Sequence, residues 1–226
     1  GTGATLLCAQ YYGKKDFRAI QAVQGIALRF SMVISAVFAL AAFTVPQVLM
    51  RLFTNDAELI SIGVGYLRIM GITYLCWGII EVYMSVLRSI GRVTVCLALN
   101  IMTFFLNIAL NAVFIFGLLG APRLGAVGVA IATAASRVVE LVGGFVVSAL
   151  SKDVKLKLSE VFRRNKVLTG DFIRLALPAL GNDVSWGVAF SMYSVILGHL
   201  GNDAVAANSI VVVIRNRTTT FCVAVA

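Results

Sequence analysis

The chain has 226 residues, with 19 Lys and Arg against 10 Asp and Glu, a formal net charge of +9, 60% hydrophobic residues and only 13% charged ones. A water-soluble domain carries about 25% charged and about 45–50% apolar residues, so an ordinary globular fold is excluded and the solvent is a bilayer. Gly1 in place of Met and the apolar end at 223–226 are what a piece of a longer protein would show, and no signal-peptide or lipidation pattern stands in the sequence.

A spanning helix needs about 20 mostly apolar residues, because the hydrocarbon core is about 30 Å thick and each residue rises about 1.5 Å. A partial apolar stretch comes first, at 2–12, followed by the basic turn GKKDF at 13–17. Full spans are predicted over 19–50, 66–90, 93–119, 125–150 and 172–200, with a second partial stretch at 204–226. Turn residues separate them: TND at 54–56, SIGR at 89–92, GAPRLG at 120–125 and GND at 201–203. Connections this short make neighbouring helices antiparallel. The fold class is an all-α, polytopic integral membrane bundle.

The segment 151–170 is different, carrying Lys152, Lys155, Lys157, Arg163, Arg164 and Lys166 against Asp153 and Glu160. Val154, Leu158, Val161 and Phe162 recur there at helical spacing, so the linker reads as an amphipathic helix resting at the headgroups, a solvated tether being the alternative. Lys14, Lys15, Arg18, Arg88 and Arg92 fall on the same side as this linker, while Arg51, Arg68 and Arg123 fall opposite. Cytoplasmic loops retain Lys and Arg, which places the linker in the cytoplasm. The net positive charge is thus mainly topogenic, and no basic folded face with stacking aromatics accompanies it, so nucleic acid is not a partner.

Cys8, Cys76, Cys96 and Cys222 are scattered through apolar stretches without CxxC spacing, and His199 is the only histidine. Disulfide, zinc and cofactor readings fail on that ground. There is no GxxxxGK[ST] phosphate loop and no HExxH. An intramembrane enzyme would need paired acids, a nucleophile or metal ligands, and the pattern supplies none.

Ionisable groups inside a span cost at least about 2.5–3.5 kcal/mol on insertion scales, so each is a functional candidate. Asp183 follows Pro178 by five residues, with Asn182 beside it, and shares a helical stripe with Trp186, Phe190 and Tyr193. One carboxylate and three rings along a cavity would suit an organic cation, a proton or Na⁺; pairing of Asp183 with a basic residue elsewhere is the other role open to it. Glu81 has Trp77 four residues before it on the same face, and is either a site residue or a helix-packing carboxylate. Arg137 and Glu140 are expected to neutralise each other at i, i+3. Asn100, Asn107 and Asn111 form a stripe fit for interhelical hydrogen bonds or for ligating a cation, and Gly128, Ala132 and Ser136 form a small-xxx-small packing face. Pro178 removes a backbone donor and is expected to open or kink its helix beside Asp183.

Six stretches, AQYYGKKD (9–16), LFTNDAELISIGVGYLRI (52–69), LRSIGR (87–92), LNIALNAVFIFG (106–117), GAVGVAIATAASRVVE (125–140) and PALGNDVSWGVAFSMYSVILGHLGNDAVAANSI (178–210), resemble the multidrug and toxic compound extrusion (MATE) transporters, in that family's order. The resemblance implies a two-lobe, twelve-helix transporter of a bacterial plasma membrane, of which this chain holds the end of the second helix to part of the eighth. On that frame, 1–150 is the remainder of the first six-helix lobe, 151–170 the cytoplasmic inter-lobe linker and 171–226 the start of the second lobe. It implies efflux of organic, often cationic compounds in exchange for H⁺ or Na⁺ by alternating access, without a cofactor, in contact with membrane lipid and with the helices missing from this chain. Asn107 and Thr133 match residues of the family's first-lobe cation site, while Asn111 stands where many members have aspartate. Asp183 stands where similar members have glutamate, and Glu81 where relatives more often carry an amide. A lipid-linked oligosaccharide flippase shares the architecture but favours a basic cavity, whereas the cavity residues expected here are acidic, amide and aromatic.

Overall fold

A computed structural model of the chain describes residues 2–117, 124–151, 154, 155, 161, 165–200, 206 and 208–216. Among these, seven helices follow in order: α1 Thr2–Gly13, α2 Phe17–Thr44, α3 Pro46–Arg51, α4 Ala57–Ser89, α5 Val93–Phe116, α6 Gly125–Leu150 and α7 Lys166–Leu200. Residue 206 and residues 208–216 are helical as well. The chain is therefore an all-helical membrane bundle, as the composition requires. Helices α2, α4, α5 and α6 are long and apolar enough to cross a membrane. Helix α7 has the length, 35 residues, but Asn182, Asp183 and the polar residues around them dilute its apolar run.

The caps explain the boundaries. Asp16 accepts from the Ala19 amide at 3.0 Å and starts α2. Asp56 accepts from the Glu58 and Leu59 amides at 2.9 and 3.4 Å, so α4 begins at Ala57, nine residues ahead of the predicted span. The predicted span 19–50 is two helices, because Pro46 has no N–H to give to the preceding turn and instead takes the first position of α3. At the end of α4, Arg92 and Gly91 donate to the Leu87 and Arg88 carbonyls at 2.9 and 3.1 Å, with Gly91 at φ +79°. This paired closure needs a left-handed residue that glycine supplies without strain. Most of GAPRLG at 120–125 and all of GND at 201–203 lie outside the described residues. Helix α7 continues through Pro178 rather than opening there.

Helix α4 is the hub, touching α1, α2, α3, α5 and α6, while α7 packs on α1 and α2. The buried cluster gathers Cys8 of α1, Ile20, Val23 and Leu28 of α2, and Tyr83, Val86 and Leu87 of α4. Lipid gives helices no hydrophobic reason to associate, so close packing and interhelical hydrogen bonds must hold them. The Ser31 hydroxyl donates to the Gly78 carbonyl at 2.8 Å, joining α2 to α4. On α6 the predicted small-residue face is buried and extends further, through Gly128, Ala132, Ser136, Glu140, Gly144 and Ser148, each four residues on. Glu140 within that stripe takes Arg137 Nη1 at 2.5 Å, so the expected i, i+3 pair forms.

The linker departs from its expected place. Val154 and Val161 do not face headgroups but are buried in the core cluster, and the Arg29 guanidinium of α2 donates from Nε to the Val161 carbonyl at 2.8 Å and also from Nη2. A guanidinium inside a span needs acceptors, and the linker backbone provides one. Leu158 and Phe162 lie outside the described residues.

Candidate functional site

Four helices enclose a cavity of about 850 Å³. Helix α2 presents Ala27, Phe30, Ser31, Ile34, Ser35 and Phe38 to it, a spacing of three and four that marks one helix face. Helix α4 presents Tyr74, Trp77, Gly78, Glu81 and Val82 by the same rule. The first half of α7 closes the far side from Phe172 to Val184, and Thr2 and Gly3 of α1 complete the lining. Two contacts fix α7: the Phe30 and Phe172 rings stack at 5.7 Å, and Gly3 lies so close to Ala176 that a Cβ there would stand 2.6 Å from the alanine methyl.

Among the described residues, Glu81 and Asp183 are the only charged members of the lining, and they come from different helices. An apolar, aromatic chamber with two acids and no base in its wall favours a cationic guest with a hydrophobic body. Glu81 is held through Oε1 by Arg88 Nη2 at 2.6 Å, and both side chains are about 40% exposed. Arg88 also reaches the Ser85 hydroxyl at 3.2 Å.

Of the residues singled out in the sequence, Asp183 and Glu81 meet in this cavity, together with Trp77. Asn182, Trp186 and Tyr193 do not line it. Asn182 is turned about 100° from its neighbour by helix geometry. The expected stripe Asp183, Trp186, Phe190, Tyr193 exists, but α7 is exposed throughout residues 181–194, so no described residue encloses the rings beyond Val184. Trp186 instead stacks on Phe190 at 5.7 Å, and the Arg215 guanidinium sits 5.1 Å from the centre of the Phe190 ring. The rings that do line the cavity are Phe30, Phe38, Tyr74, Trp77 and Phe172. Ser31 and Ser35, four apart in an apolar helix, were the visible signal for the α2 face.

Asn107, Asn111 and Thr133 come together elsewhere, between α5 and α6. Asn111 Nδ2 donates to Asn107 Oδ1 at 2.9 Å, and Asn107 Nδ2 reaches the Thr133 and Ser136 hydroxyls at 3.5 Å each. Ser136, read from sequence as a packing residue only, thus belongs to the polar cluster as well. Asn111 Oδ1 is buried without a hydrogen-bond partner. Asn100 is exposed and stands apart from this cluster.

The family model that matches is MatE, over residues 1–113. Among curated proteins the chain is similar to the probable multidrug resistance protein YoeA of Bacillus subtilis strain 168, at 29% identity over 217 residues, 93% of this chain and 46% of that protein. It is also similar to the uncharacterized transporter YisQ of the same strain, at 26% identity over 204 residues, 90% of this chain and 45% of that one. The chain spans about half the length of the curated relatives it matches. Among solved structures, an outward-facing multidrug resistance MATE family transporter superposes with a TM-score of 0.73 at 22% identity, over 84% of this chain and 42% of that one. That likeness carries the fold.

Proposed function

Because the chain belongs to the MatE family, we propose that it is part of a multi-pass exporter of organic cations in a bacterial plasma membrane. Residues 1–150 then form the remainder of the first lobe, 151–170 the cytoplasmic connection and 171–226 the start of the second lobe. The observation that carries the reading is the cavity whose only charged walls, among the described residues, are Glu81 and Asp183.

The chemistry follows from that wall. A cation with an aromatic or aliphatic body leaves water for an apolar chamber, gains dispersion contact with Phe30, Trp77 and Phe172, and places its charge against a carboxylate. An aromatic face within about 6 Å adds roughly 0.5–2 kcal/mol for a cation, more as water is excluded. The carboxylate of Asp183 carries one unit of negative charge, so it balances either the substrate cation or one coupling H⁺ or Na⁺. That competition makes the two movements an exchange when the cavity opens first to one side and then to the other. Asn107, Asn111 and Thr133 form the second place for a cation, and the unpaired Asn111 Oδ1 is the acceptor that supports it. Asn111 is an amide, so the coupling charge rests on Asp183, with Glu81 elsewhere in the wall of the same cavity and Asn182, Trp186 and Tyr193 on the same helix as Asp183 but outside the lining. The chain works as a transporter and not as an enzyme, with no cofactor in the cycle.

A flippase for lipid-linked oligosaccharides is disfavoured by the same wall, since the charged members of the lining, among the described residues, are two carboxylates and a pyrophosphate would be repelled by the free one at Asp183. The test is uptake of a fluorescent organic cation into everted vesicles holding the full-length protein. Accumulation driven by an imposed H⁺ or Na⁺ gradient supports the reading. Movement of a pyrophosphate-linked lipid with no uptake of any organic cation overturns it.

A further inference from the structure

Glu81 is in the cavity but not unoccupied: Arg88, seven residues later on the same helix, holds it at 2.6 Å. The two side chains must extend toward each other over two helical turns, about 10.5 Å of rise, to meet. The contact runs through one oxygen, Oε1, and one nitrogen, Nη2. Both partners are about 40% exposed. Neither partner is enclosed by its neighbours, so the pair can part without unpacking the helix.

Arg88 also has somewhere else to go. It lies in the last turn of α4, where the negative end of the helix dipole favours a cation whether or not Glu81 is present. The Ser85 hydroxyl is already within 3.2 Å of it. Displacing Arg88 from Glu81 therefore does not strand a charge. Glu81, in turn, has Trp77 one turn before it and Tyr74 two turns before it, all three lining the cavity from α4. Carboxylate and aromatic faces at this spacing form a receptor for an organic cation.

The depths differ as well. At 1.5 Å per residue, Glu81 stands about 12 Å from the α4 end at Ser89, and Asp183 about 26 Å from the α7 start at Lys166. The distribution of Lys and Arg puts both of those helix ends on the cytoplasmic side. A guest from the cytoplasm meets Glu81 before Asp183.

We propose that Arg88 is a specificity-determining residue of the cavity: it occupies Glu81 as an internal cation, and only a positively charged guest that displaces its guanidinium gains the outer carboxylate. A neutral guest of the same size finds the pair closed and gains nothing from it. This inference rests on the reading of the cavity as an organic-cation site and adds the element that discriminates charge.

The test is equilibrium dialysis on the full-length protein in detergent with two probes, tetraphenylphosphonium as the cation and N-phenylnaphthylamine as the neutral aromatic. Arg88→Gln is expected to tighten tetraphenylphosphonium binding about two- to fivefold, the scale of a weak, single-contact ion pair, and to leave the neutral probe unchanged. Glu81→Gln is expected to weaken the cation by a similar factor, and Glu81→Gln/Arg88→Gln to match Glu81→Gln alone. Unchanged or weaker cation binding in Arg88→Gln, or an equal shift of both probes, overturns the inference. Where Arg88→Gln fails to fold, unchanged cation binding in Glu81→Gln overturns it alone. If the wild type binds tetraphenylphosphonium and Asp183→Asn loses it while neither Arg88 nor Glu81 matters, the cavity reading stands and only this inference falls. A wild type that binds neither probe removes both.

Discussion

Gly144 sits in the buried stripe of α6 where that helix crosses α4, and a methyl placed on it would collide with Ile80 Cδ1. The next atoms, Ile80 Cγ1 and Tyr83 Cδ1, stand at 3.7 and 3.8 Å, an ordinary contact. One methyl group is therefore the whole obstacle, but Ile80 is 1% exposed and cannot swing aside freely. Overpacking of this kind costs about 1–3 kcal/mol, offset by about 1 kcal/mol of helix propensity for Ala over Gly. Gly144→Ala should thus be destabilised by about 0–2 kcal/mol. Ile80→Val removes Cδ1 and leaves a void worth about 0.5–1.5 kcal/mol. In Ile80→Val/Gly144→Ala the new methyl fills the space of the old one, so both penalties cancel and the double variant should be at least as stable as the wild type. The coupling in the cycle, the two penalties that cancel, should be roughly 1.5–4.5 kcal/mol in favour of the pair. The assay is SDS titration of the full-length protein in micelles, read as the unfolding midpoint of all four forms. Additive effects, with the double variant the weakest of the four, would falsify the packing argument.

Two further substitutions probe the walls of the cavity and the linker. In Gly3→Val the side chain meets the Ala176 backbone, with Cβ 2.8 Å from Cα; since backbone cannot yield as a side chain does, α1 should separate from α7 at a cost of about 1–3 kcal/mol, measured as a lower unfolding midpoint together with weaker cation binding, and an unaltered midpoint would contradict the contact. In Arg29→Gln the guanidinium bonds to the Val161 carbonyl are lost, each hydrogen bond from a charged donor being worth about 1.5–3 kcal/mol; trypsin should cut at the exposed Lys155 roughly tenfold faster or more, and an unchanged cleavage rate would show that Arg29 does not anchor the linker.

What the sequence made legible was local. TND at 54–56 and SIGR at 89–92 announce turns by their own chemistry, although the helix that Asp56 caps starts nine residues ahead of the predicted span, and the period of four from Gly128 to Ser136 announces a packing face whatever lies against it. The cavity was half legible. Glu81 and Asp183 stand out as charges in apolar runs, but that they face one chamber depends on α4 and α7 each packing on α1 and α2, which the sequence does not announce. Trp186 and Tyr193 show the converse: their stripe with Asp183 is real, yet the cavity lining ends at Val184 and α7 is exposed through residues 181–194 before it packs again at Gly198 against Phe53. Arg88 was counted as a topogenic loop charge, since its position at a helix end explains it fully until Glu81 is seen beside it. Val154 and Val161 have the spacing of an interfacial helix, and only the part-buried Arg29, which donates to the Val161 carbonyl, reveals that this part of the linker turns inward.

The most direct test of the account is gradient-driven uptake of ethidium into everted vesicles containing the full-length protein, comparing wild type with Asp183→Asn at matched abundance under imposed H⁺ and then Na⁺ gradients. The account predicts uptake by the wild type under one of the two gradients and its loss in Asp183→Asn, an isosteric change that removes the charge and little else. Uptake that persists undiminished in Asp183→Asn would contradict it, because the carboxylate in the wall of the cavity would then play no part in exchanging one cation for another.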